Sequence, residues 1–318
     1  MRKIETDQLT VSLPMLILPI ERKPKNVILA ITIVFLITCT VALLTSAMLG
    51  YFQHGEITEE ATPAKESEMG AYASLMNLAY LLILIFVVTF IIVALIKYGK
   101  TGILKIFMIV AVLFMIFTFT AYMAIVYQLF ILIQLYNMGI SEVVLFVPFI
   151  IPVSYLLVIV SMGMYLFSII KMKNINTRNA ILLLNAVWAA VWMGWNSGII
   201  TPLVILLGFA LYDLYSVFKG PLRDLANYLV EPEMEENTKE EDFGVILGLG
   251  DIFFYSFTIA YSYAVLSMIE TLVIVFILYF GVIITFWLLF KYHVNALPAL
   301  PIPVLSAVGL IILFSYVI

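Results

Sequence analysis

Charged residues are scarce in this 318-residue sequence, at 11% of the chain, and it holds only two histidines and one cysteine. The lone Cys39 excludes an intrachain disulfide and says nothing about redox compartment. His54 and His293 are too distant in sequence to form a His-Glu-x-x-His zinc helix. Both lie in loops, so Ser197, in the stretch Gly194–Gly198, lacks the membrane-embedded histidine that a rhomboid-type serine protease needs. No glycine loop followed by lysine is present to cradle a phosphate. No basic surface points to nucleic acid, and no metal or cofactor is expected.

What is abundant is apolar sequence, 64% of the chain, where soluble domains hold about half. A helix crossing the hydrocarbon core needs about 20 such residues. The reading is an all-α, polytopic integral membrane protein forming a single membrane domain, with about nine transmembrane helices. The expected spans are 27–49, 74–96, 103–135, 142–170, 179–194, 198–218, 244–266, 270–290 and 299–317. The run Val27–Leu49 exceeds the apolar stretch of a cleavable signal, so it reads as a permanent span. The third and fourth spans are long enough to tilt or project, with Pro148 and Pro152 set to kink the fourth. The fifth ends in Trp192, Gly194, Trp195 and Asn196, which suits aromatic anchoring at the membrane interface.

Basic residues set the orientation. Alternate connections on one side hold 15 of the 16 lysines and arginines, and only Lys65 falls on the other. Cytoplasmic loops are enriched in these residues. The N-terminus is therefore expected in the cytoplasm and the C-terminus outside. Residues 219–243 form a cytoplasmic loop between the first six spans (27–218) and the last three (244–318). Seven acidic residues between Glu231 and Asp242 give this loop a solvated character.

Acids inside a bilayer are rare, because desolvation disfavours them, and they mark sites or pathways. Asp213 lies six residues before Lys219, about 9 Å of helix, and Asp251 eight residues after Phe243, about 12 Å. Their spans run in opposite directions, so both carboxylates reach a similar depth from the cytoplasmic side. Facing carboxylates in low dielectric cannot both ionise cheaply; one keeps a proton and serves as acid while the other serves as base. Buried acids also relay ions or protons in channels and transporters, or simply tie helices together as a scaffold. The residues alone leave these open.

Tyr212-Asp213, Gly248-Leu249-Gly250-Asp251, Pro298-Ala299-Leu300 and the stretch Lys219–Arg223 together resemble the presenilin-type intramembrane aspartyl proteases, a family with a GxGD motif. The signal-peptide-peptidase branch shares the motifs in inverted orientation, and prepilin peptidases lack the terminal Pro-Ala-Leu. The resemblance implies an endopeptidase that hydrolyses transmembrane helices, with Asp213 and Asp251 catalytic. It further implies that Pro298, Ala299 and Leu300 shape the site and help hold an extended substrate. Tyr212, Gly248, Leu249, Gly250 and Leu297 are expected to join them in substrate binding, with Tyr212 and Gly250 also shaping the pair. Substrates are membrane-protein helices entering from the lipid bilayer. The short acidic loop departs from the eukaryotic pattern. It suggests a microbial or archaeal homologue in a cell membrane, active uncleaved and without obligate accessory subunits.

Overall fold

The computed structural model describes residues 15–18, 24–53, 63–171, 175–218, 245–292 and 298–317. Among them run nine long helices: α1 (Pro24–Gln53), α2 (Ala71–Lys97), α3 (Thr101–Asn137), α4 (Ile150–Lys171), α5 (Ile175–Trp195), α6 (Thr201–Phe218), α7 (Leu249–Val265), α8 (Met268–Tyr292) and α9 (Pro301–Val317). Each overlaps one expected span, with ends within five residues except at the fourth, where the α-helix begins eight residues late. By length and hydropathy, α1, α2, α3, α4 with its lead-in, α6 and α8 can cross a membrane. Helices α7 and α9 have only 17 residues each, and α5 carries Arg178, Asn179 and Asn185. This is a helical membrane protein, with six helices among the described residues long and apolar enough to cross a bilayer.

The core centres on α5 and α7. Leu182, Val187, Ala190, Val191 and Trp195 are buried with Phe257, Ile259, Ala260 and Tyr261. Lipid is as apolar as leucine, so such packing relies on close backbone approach rather than on expulsion of water. At Gly194 a Cβ would stand 2.9 Å from the Ala260 Cβ, and at Gly281 one would stand 2.4 Å from the Pro303 Cα. Glycine at these two positions lets α5 meet α7 and α8 meet α9. Buried hydroxyls on α7 turn back to their own helix: Ser256, Thr258 and Ser262 donate to the carbonyls of Ile252, Phe254 and Ile259 at 2.8, 2.8 and 2.9 Å. Other polar pairs join helices, as between Thr120 and Asn185 at 3.1 Å.

Several local expectations are corrected. Trp195 is not an interfacial anchor; it is 1% exposed. Gly50 opposite leaves room for its ring, since a Cβ there would lie 3.1 Å from it. Arg178, assigned to a cytoplasmic loop, is buried in the first turns of α5. The fourth span does not kink within an α-helix. It begins as a 3-10 segment, Ser141–Phe149, containing Pro148, and Pro152 falls in the first turn of α4, where a missing N–H costs little.

The seventh span starts later than expected. Val245–Gly248 form a strand, β2, paired antiparallel with β1 (Met15–Leu18), with Met15 opposite Gly248 and Leu18 opposite Val245. β-Branched Val245 and Ile246 favour extended backbone, and glycines at 248 and 250 weaken a helix there. The helical class therefore carries one short ladder.

On the opposite side, Glu66 caps α6. It begins a one-turn helix, Glu66–Met69, and its carboxylate accepts the backbone N–H groups of Ile199 and Ile200 at 3.0 Å each and that of Thr201. Ser74 Oγ donates to it at 3.1 Å. Gly198, at φ 79°, turns the chain so that these amides converge. Helix N-termini leave such donors unpaired and favour negative charge. Burial pushes the Glu66 carboxyl up, but the hydrogen bonds from Thr201, Ile200 and Ile199 outweigh it and hold the group below 4.5.

Two outcomes follow from this packing. A carboxyl lowered in the folded state adds stability above about pH 4.5, lost as pH falls through the folded value. Glu66→Gln is expected to lower the thermal midpoint at pH 7, by the equivalent of about 1–2 kcal/mol for a lost cap, and to flatten the acid-side fall. Thermal unfolding in detergent between pH 3 and 7 measures both. Gly281→Val is expected to cost about 1–3 kcal/mol through overpacking, read as a lower midpoint in the same assay.

Candidate active site

Asp251 sits in the first turn of α7, where the helix dipole favours negative charge. Gly248 is the N-cap, in extended conformation at φ −66° and ψ 134°. Asp251, three residues on, reaches back and accepts the Gly248 N–H, the returning half of a capping box. A Cβ at position 248 would lie 2.9 Å from Asp251 Oδ2, so only glycine leaves the carboxylate this position. Gly250 faces open space and Leu249 packs at the core margin.

Asp213 lies near the C-terminal end of α6. Phe209, one turn earlier, packs on Phe254 of α7 with ring centroids 4.6 Å apart, which fixes the two helices beside one another. Tyr212 meets Phe209 edge-on at 6.4 Å. The two half-buried carboxylates are within electrostatic reach of each other.

The third component is the backbone before α9. Pro301 opens that helix, and proline at the first helical position is favoured. Leu300 precedes it, and its carbonyl accepts the Val304 N–H at 2.9 Å. Its own N–H lies outside the helix ladder and donates to Asp213 Oδ2 at 3.0 Å. The Ala299 N–H also donates to this carboxylate. Pro298 and Leu300 are buried and Ala299 half-buried. Prolines 298, 301 and 303 thus start a helix and also leave irregular backbone against an acid.

Of the residues singled out from sequence, Gly248 contacts Asp251, and Ala299 and Leu300 contact Asp213, while the two aspartates interact through their charges. Tyr212 lies on the core side of α6, beside Phe209. Leu297, the 219–243 loop with its Lys219–Arg223 stretch, His54 and His293 fall outside the described residues. Tyr255 was missed. Its hydroxyl donates to the Ala299 carbonyl at 2.9 Å, and it stands in the field of both carboxylates. Its spacing of four from Asp251, one helical turn on the same face, was the available signal.

Two aspartates and an irregular backbone turn, held among apolar helices, define the chain as a helical membrane protein with a paired-carboxylate centre. The presenilin family model matches residues 227–318, which take in β2, Asp251, α7, α8, the 298–300 turn and α9. The C-terminal part of the chain is thus similar to presenilins. No curated protein matches the sequence. Asp213 precedes the matched segment, and its link to the centre is the hydrogen bonding to residues 299 and 300.

Proposed function

We propose that this protein is an intramembrane aspartyl endopeptidase, with Asp213 and Asp251 as the catalytic pair. The observation that carries the reading is that these two carboxylates, on the adjoining helices α6 and α7, stand within electrostatic reach of each other. Neighbouring carboxyls in low dielectric share one proton. The ionised member draws a proton from water as its oxygen attacks the substrate carbonyl carbon. The protonated member gives its proton to the carbonyl oxygen, yielding a tetrahedral diol. Collapse of the diol breaks the C–N bond, protonates the leaving amine and returns one proton to the pair.

Helical peptide bonds are shielded by their own hydrogen bonds, so substrate must unwind before attack. Its substrates are transmembrane-helix proteins arriving from lipid. The extended backbone at 245–248 and the turn at 298–300 flank the aspartates, and strand addition there would hold an unwound segment. Tyr212, Gly248, Leu249, Gly250 and the residues 297–300 contribute to this surface. All nine helices cross the membrane, giving a cytoplasmic N-terminus and an external C-terminus in a microbial cell membrane. The enzyme acts as one uncleaved chain without obligate accessory subunits.

Purified single-chain protein in detergent should cleave a transmembrane substrate. Asp213→Asn and Asp251→Asn should each lower kcat by at least about 100-fold with folding retained. Undiminished cleavage by either variant would reject the pair. Ion flux through wild-type liposomes, abolished by these variants without any proteolysis, would instead support a channel or transporter. Activity confined to a chain cut within 219–243 would remove the single-chain assignment. Reporter fusions should read the 97–105 and 219–243 loops as cytoplasmic and the C-terminus as external; the reverse pattern overturns the orientation.

A further inference from the structure

Tyr255 touches the candidate centre from a direction that the carboxylate pair does not use. It is 4% exposed, and its ring packs against Phe35 of α1 at 6.2 Å. With Ile31, Val34, Thr38, Ile252 and Val282 it lines a narrow apolar void between α1, α7 and α8. In that setting a phenol needs a hydrogen-bond partner, and it donates to the Ala299 carbonyl at 2.9 Å.

That carbonyl and the Leu300 N–H belong to a single peptide unit. The unit is planar and trans, so its C=O and N–H point in opposite directions. Tyr255 holds one end while Asp213 accepts from the other at 3.0 Å. Turning the peptide about its flanking bonds would break both contacts at once. Hydrogen bonds in series also polarise one another in low dielectric, so donation to the carbonyl strengthens the N–H facing the carboxylate. Tyr255 is one turn beyond Asp251 on α7. The series therefore joins the helix of one aspartate to the side chain of the other through the backbone before α9.

Resting on the protease reading above, we infer that Tyr255 is a positioning residue for it, locking the Ala299–Leu300 peptide so that its amide fixes the Asp213 carboxylate relative to Asp251. The tyrosine acts through Asp213 and needs no contact with substrate, so its loss should lower turnover more than substrate binding.

The test compares Tyr255→Phe and Tyr255→Leu with wild type on a transmembrane substrate. If the hydroxyl is the working group, Phe should lower kcat about tenfold, the scale of one buried hydrogen bond, with KM within about twofold. Leu should be no better. A Phe variant with kcat within twofold of an active wild type overturns the inference, as does a loss confined to KM. Amide hydrogen exchange supplies a readout independent of activity. Residues 298, 301 and 303 are prolines, so a peptide over this turn reports few amides, Ala299 and Leu300 among them. Exchange there should quicken in Tyr255→Phe, and unchanged exchange sinks the brace even if wild type proves inactive. An inactive wild type with quickened exchange would support the brace and count against the protease reading alone.

Discussion

The hydrogen bond from the Leu300 amide to Asp213 makes one centre from distant parts of the chain. A carboxylate among apolar helices must find donors within the protein, because lipid supplies none. Helix ladders consume nearly all backbone N–H groups, leaving only those at helix starts. The molecule meets the requirement twice in the same manner. Asp251 takes the Gly248 amide at the start of α7, and Asp213 takes those before α9. Both acids are thus tied to backbone rather than to flexible side chains, and their spacing follows the packing of whole helices.

That packing is set by small residues. Gly194 against Ala260 and Gly281 against Pro303 bring α5, α7, α8 and α9 close enough for the core to form a rigid frame. Phe209 on Phe254 transmits the frame to the aspartate-bearing helices. At the opposite end of α6, Glu66 gathers the first amides, while Tyr261 of α7 donates to the Ile199 carbonyl at 2.6 Å. The two helices that carry the acids are therefore held together at both ends.

Much of this was legible in the sequence. Apolar run lengths marked the nine long helices of the described residues, because hydropathy acts locally and leaves a direct record. The two aspartates stood out for the same reason. The contributions of Glu66, Tyr255 and Trp195 did not, since each depends on what another segment brings near. Glu66 is one of five acids between positions 56 and 68, yet it caps a helix more than a hundred residues later. Trp195 carried an interfacial signature that Gly50, on α1, overrode by leaving room for the ring. Strand β2 escaped notice because its partner, Met15–Leu18, lies before the first span and shows no strand periodicity of its own.

The β1–β2 ladder has a bearing on access. A strand has two edges, and β1 occupies one edge of β2, three residues before Asp251. Being covalently attached, β1 is a resident competitor whose local concentration for that edge can reach the millimolar range, as for any short tether. A visiting chain that needs the same edge must outbid a permanent occupant, whereas the other edge carries no such handicap. On the protease reading proposed above, a substrate that pairs with this edge would meet a threshold set by the segment before α1.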